Sequence, residues 1–183
     1  EQINKVIREK FEDTSNPLEK GGYAIASGLL RDPLAVKPLV EVLSDKGAEK
    51  KLRGYSAVAL GMIGDTLGGD AIKATLADSS DRELRVQTAV PAGLIGDSSV
   101  IQSLVDIMSK GEESQYILGS VALALGQIGD ERAVAPLLAI SVDEEEQYPE
   151  LTRALATVAL GQIGDRRDLP VLTRVAKDVN YRA

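Results

Sequence analysis

The densest run of titratable side chains in the chain is Asp143-Glu144-Glu145-Glu146. Consecutive carboxylates attract cations or a basic partner, but this run lacks the spaced ligands of a calcium loop and reads as a solvated loop. Gly68-Gly69-Asp70 offers flexible backbone at a helix start, where anions bind. No Lys-Ser or Lys-Thr follows at the spacing of a phosphate loop, so that chemistry is set aside. Basic residues recur as Lys20, Arg53, Arg85 and Arg153, with Leu118 in the same register and Arg182 entering it near the end. Asp81 and Asp178 stand four residues ahead of two of them, with Glu49, Ser114 and Pro149 at the same place elsewhere, which favours a structural role over a basic binding stripe.

The missing residue types exclude more than the present ones supply. The chain has no Cys and no His, so thiolate nucleophiles, disulfides, imidazole bases and the commonest zinc sites are absent; no metal and no cofactor are expected. With 21 basic against 28 acidic residues, a net charge of −7, 3% aromatic residues and no Trp, a nucleic-acid surface is not expected either. No run reaches the roughly 18 apolar residues of a membrane span, and no leader of charged then apolar residues opens the chain. The expected compartment is the cytoplasm, with no membrane partner. Because the first residue is Glu1 rather than Met, the natural start is read as absent.

The elements that must position these residues are written in an internal repeat. Leu60-Gly-Met-Ile-Gly-Asp65, Ala92-Gly-Leu-Ile-Gly-Asp97, Leu125-Gly-Gln-Ile-Gly-Asp130 and Leu160-Gly-Gln-Ile-Gly-Asp165 align, with Ser27-Gly-Leu-Leu-Arg-Asp32 as a weaker copy. The anchor glycines Gly28, Gly61, Gly93, Gly126 and Gly161 are spaced by 33, 32, 33 and 35 residues. Apolar residues recur three and four apart on both sides of a polar break in every period, which predicts two helices per unit. The first of each pair (A) follows the Asp, as with Val36, Leu39, Val40 and Leu43. The second (B) runs into the anchor, roughly over 17–30, 50–63, 82–95, 115–128 and 150–163. Residues 1–12 are expected as the first A helix and 168–177 as the last. Glycine past a helix end closes the last turn, and Asp caps the next helix, with a short irregular or 3₁₀ turn between them. Pro91 should bend the third B helix, and Gly68-Gly69 should shorten the third A helix.

These motifs resemble the HEAT-repeat family, especially the HEAT-like repeats of phycobilisome lyases. The resemblance rests on the L-G-x-I-G-D anchors, on the A helix pattern from Ala133 to Leu138 and on the entries Leu52-Arg53 and Leu84-Arg85. It implies an all-α fold, a right-handed α-α superhelix or α-solenoid of about five stacked helix pairs plus an incomplete sixth. The expected units are 1–31, 32–64, 65–96, 97–129, 130–164 and a partial 165–183 in a single array.

Counted from the anchor glycine, position −4 (Ala24, Ala57, Ala89, Ala122, Thr157) and position −7 (Gly21, Gly54, Val86, Gly119, Ala154) form a small-residue seam, and position +2 (Leu30, Ile63, Ile95, Ile128, Ile163) is expected in the core. The resemblance makes the Asp81–Arg85 and Asp178–Arg182 pairs part of an inter-repeat ladder, incomplete elsewhere, and places positions −7, −6, −3 and +1 on the open concave surface, of which −6, −3 and +1 are taken as binding positions. The candidate binding residues are therefore Ile25, Leu29, Tyr55, Val58, Met62, Gln87, Val90, Leu94, Ser120, Leu123, Gln127, Leu155, Val158 and Gln162. Three readings of this apolar column stand side by side: B helices packed tightly against each other, an exposed groove, or a groove filled by parts of the protein outside this fragment.

The function expected from this reading is a non-enzymatic scaffold that binds a protein or peptide along the concave helix-B surface. The alternative is a bilin-lyase-like or other ligand-handling HEAT-like protein, in which the groove handles a pigment. Di-iron hydroxylases built on such repeats hold their metal through His-Glu motifs, which a chain without His does not supply. Lys177 to Ala183 repeats the opening of a B helix and then stops, so the chain reads as a fragment with weak self-association through its C-terminal edge.

Overall fold

Three of the four Gly-Asp pairs end one helix and start the next; at Gly164-Asp165, expected to do the same, the helix Glu150–Arg166 runs on through both residues. Gly64, Gly96 and Gly129 take φ of 74°, 72° and 73°, the left-handed conformation that closes a helix without a Cβ clash. The following aspartates turn back on the next helix: Asp65 accepts from the Leu67 N–H at 2.9 Å, Asp97 from Ser99 at 2.8 Å and Asp130 from Arg132 at 3.0 Å.

The result is a computed structural model that describes residues 2–78, 82–109, 114–145 and 147–166. Its helices, in order, are α1 (Gln2–Asp13), α2 (Pro17–Leu29), α3 (Val36–Ser44), α4 (Lys50–Ile63), α5 (Thr66–Ala77), α6 (Arg82–Gln87), α7 (Ala89–Ile95), α8 (Ile101–Ser109), α9 (Gln115–Ile128), α10 (Val134–Ser141) and α11 (Glu150–Arg166). Single 3₁₀ turns at Pro33–Ala35, Ser98–Val100 and Glu131–Ala133 lead into α3, α8 and α10. There is no strand among the described residues. The architecture is an all-α HEAT-type solenoid of paired, stacked helices: A helices α1, α3, α5, α8 and α10 pack on their B partners, while α2, α4, α7, α9 and α11 pack on one another in sequence. The last A helix expected at 168–177, the ladder residues Asp81, Asp178 and Arg182, and the C-terminal edge expected to self-associate lie outside the described residues.

The core lies between the two layers. Leu39, Leu43, Ile72, Leu76, Leu104, Ile107, Met108 and Leu137 from the A side meet Leu60, Ala92, Leu125 and Leu160 on the B side, all buried. The column expected in the core at +2 is only partly there. Ile163 is buried, Ile63, Ile95 and Ile128 are half-buried against the core, and Leu30 is exposed.

One further local expectation is corrected. The third A helix is not shortened: α5 runs for 12 residues, against nine in α3 and α8. Gly68 and Gly69 lie buried inside it, and a Cβ on Gly68 would stand 2.9 Å from Leu60 Cδ2, so these glycines admit a neighbour rather than break the helix. The ladder itself is left untested by the described residues, but two cations of the basic column are placed. Arg53 is buried and its Nε donates to the Leu43 carbonyl at 2.8 Å, capping the C-terminal end of α3, and Lys20 Nζ sits 5.0 Å from the Phe11 ring centre on α1. Both cations clasp a B helix to its own A helix. The third B helix does break: α6 stops at Gln87, Thr88 is a turn, and α7 carries Pro91, whose missing N–H leaves the Gln87 carbonyl without its helical donor.

Candidate binding groove on the B helices

The spacing between B helices is set by the anchor glycines. A Cβ on Gly28 would come 2.7 Å from Ala59 Cα, on Gly93 2.6 Å from Ala124 Cα, and on Gly126 2.8 Å from Ala159 Cα. Each anchor thus meets position −2 of the next B helix, backbone to backbone. This column, Ala59, Pro91, Ala124 and Ala159, is the one the sequence reading passed over; its signal is the repeated Ala-Leu-Gly at 59–61, 124–126 and 159–161.

None of the candidate residues is buried. Leu29, Val90, Leu94, Gln127 and Val158 are exposed; Ile25, Tyr55, Val58, Met62, Gln87, Ser120, Leu123, Leu155 and Gln162 are half-buried. Position −6 behaves differently from the other two. The Tyr55 ring lies over Gly21, Gln87 over Gly54 and Leu155 over Gly119, where an added Cβ would meet them at 2.3, 2.4 and 2.4 Å. These side chains are lids seated on the −7 glycine of the preceding helix, so they close the groove floor as well as lining it. Gln162 sits likewise over Gly126, with its Oε1 buried and unpartnered.

The structure brings Gln87, Val90 and Ser120 together with Glu83, Val86, Tyr116 and Ile117 around one cleft of about 620 Å³. Tyr55 shares a smaller one of about 360 Å³ with residues at the starts of α2 and α4, including Leu18, Glu49 and Leu52. Leu29, Met62, Leu94 and Gln127 lie toward the other ends of their helices and line neither cleft. Among the described residues no group of three or more acidic side chains is placed to hold a metal.

The electrostatics concentrate at the repeat junctions. Arg8 on α1 pairs with the buried Asp32, and Lys73 on α5 reaches Asp97 at 3.0 Å. Both pairs span 24 residues, so the Asp that caps the next A helix also takes a cation from its own A helix. The Ser99 N–H, then the Lys73 ammonium, hold Asp97 down to about 2, from an ordinary 3.8. Asp70 at 2.8 Å and Asp97 together push Lys73 up. The offset is not repeated at the other junctions, where Glu41 and Asp106 stand 24 residues ahead of Asp65 and Asp130.

Stacked helix pairs whose B helices share an exposed, partly apolar face define an α-solenoid. Within it, residues 69–150 match the family model of HEAT repeats. The bilin biosynthesis protein PecE of Nostoc sp. (strain PCC 7120) is 29% identical over 130 residues, covering 67% of this chain and 51% of that protein. The chain spans about half the length of this curated relative. Human deoxyhypusine hydroxylase, solved in complex with glycerol, aligns over 84% of this chain and 82% of its own with a TM-score of 0.42 and 17% identity.

The likeness to a biosynthetic protein overturns the expectation that the chain is no enzyme. That expectation leaned on the missing His and Cys, and the step was too wide, because carboxylates and phenols also carry protons in catalysis. Among the described residues no helix is long and apolar enough to cross a membrane.

Proposed function

We propose that this chain is a ligand-handling HEAT-repeat module of the bilin-lyase type, which receives a linear tetrapyrrole on the concave face of its B helices. The observation that carries this reading is the cleft bounded by Val86, Val90, Ile117 and Tyr116: its walls are apolar and aromatic, its polar groups are few, and its volume falls within the few hundred to a thousand Å³ of small-molecule sites. The likeness to a bilin biosynthesis protein supplies the ligand class. The exposed column through Leu29, Val90, Leu94 and Val158 offers a contact surface to a protein partner beside the cleft.

Titrating the purified chain into biliverdin while recording visible absorption tests the reading. A saturable change in the long-wavelength band is expected, since a bound open-chain tetrapyrrole is held in fewer conformations than a free one. A spectrum that stays that of free pigment at every protein concentration would overturn it.

A further inference from the structure

Three of the four steps along the B helices follow one rule of size. A glycine at −7 receives a large −6 side chain from the next helix: Gly21 takes Tyr55, Gly54 takes Gln87 and Gly119 takes Leu155. The remaining step inverts it. There the −7 residue is Val86 and the −6 residue is Ser120, and the space a lid would fill is the cleft of about 620 Å³. The break at Thr88 falls at the same place: α6 and α7 both pack on α4 and α5, and the packing on α9 is carried mainly by α7. Two independent departures from the repeat thus coincide on one opening.

The polar atoms at this opening mostly accept hydrogen bonds. Glu83 is exposed and, as a carboxylate, only accepts; its contacts to Lys50 Nζ at 3.7 Å and Gln87 Nε2 at 3.5 Å are long and leave it accepting capacity. The Ser120 hydroxyl spends its hydrogen on the Tyr116 carbonyl at 2.7 Å, so its oxygen is left to accept. A ligand that fits is flat and apolar and presents N–H donors along an edge.

Resting on the function proposed above, we infer that this inverted step is the pigment subsite, and that the pyrrole N–H edge of an open-chain tetrapyrrole faces Glu83 and Ser120. A closed porphyrin turns the same N–H groups into its own ring, out of reach of a carboxylate at its edge. Ring closure, rather than size or apolarity, is what the site discriminates.

The test is a titration of biliverdin and of protoporphyrin IX into the unaltered chain, Ser120→Leu and Glu83→Gln, with far-UV circular dichroism as the fold control. Ser120→Leu supplies the lid seen at Leu155 and should weaken biliverdin binding at least tenfold. Glu83→Gln, on an exposed side chain that the fold does not need, should weaken it about tenfold, the worth of a hydrogen bond to a charged group. Protoporphyrin should bind at least tenfold more weakly than biliverdin. If the unaltered chain binds no biliverdin, this inference and the proposed function fall together. If it binds biliverdin and both variants bind equally well, the pigment sits elsewhere on the face and only the subsite falls. Equal affinity for the two pigments, or full binding by Glu83→Gln alone, removes the N–H assignment.

Discussion

Asp97 shows how much one side chain does at a repeat junction. It accepts from the Ser99 N–H at 2.8 Å, opening the next A helix, and holds Lys73 at 3.0 Å from its own. Its folded pKa of about 2 lies below the ordinary 3.8, so the ionised carboxylate favours the folded state. The contribution is whole above the unfolded value and shrinks as pH falls through the window between the two. Asp97→Ala should therefore cost about 1 kcal/mol at neutral pH, the usual worth of an N-cap. That cost should narrow as pH drops from about 4 to 2. Urea unfolding of both proteins across that range checks it, and a pH-independent gap would show that charge plays no part. The capping role was legible in the sequence from Gly-Asp alone, because a cap is a local interaction. The lids at Tyr55, Gln87 and Leu155 were not, since each depends on the residue opposite it on another helix, and no single-helix count reveals which neighbour it meets.

At the scale of elements, helix number and order were readable because each period carries its own apolar spacing and punctuation. Errors came where glycine was read by propensity alone. Gly68 and Gly69 stay helical inside α5, where burial against Leu60 and Ile95 outweighs their backbone entropy. Pro91 was read by what it forbids, a steric and hydrogen-bonding rule that tertiary contacts do not cancel, and the helix breaks at Thr88 accordingly. Pro91→Ala restores a donor for the Gln87 carbonyl and should join α6 to α7. Helical signal at 222 nm should rise slightly, the urea midpoint should rise by the equivalent of about 1 kcal/mol, and amides 88–91 should gain hydrogen-exchange protection. A straighter helix also draws α6 toward α9 and narrows the cleft lined by Glu83, Val86 and Tyr116. A variant with an unchanged exchange pattern would mean that packing against Gly61, and not the missing donor, sets the break.

The whole molecule is a one-dimensional stack in which each helix pair leans on its neighbours, so its cooperativity depends on the seams between B helices. The same substitution should therefore have opposite effects at two glycines. Gly22 is exposed within α2, and an added Cβ meets nothing within 4 Å. Gly22→Ala removes backbone entropy from the unfolded chain and should stabilise by about 0.5–1 kcal/mol with unfolding still a single transition. At Gly93 the added Cβ would stand 2.6 Å from both Ala124 Cα and Cβ, so α7 and α9 must move apart. Gly93→Ala should cost about 1–3 kcal/mol, as overpacking does. The loss falls on the coupling between the third and fourth helix pairs rather than within either of them. Urea unfolding followed by circular dichroism should then broaden or split, with a lower apparent m-value, as the two halves melt separately. A sharp transition at the unaltered midpoint in Gly93→Ala would mean that the A layer, not the glycine seam, carries the coupling along the array.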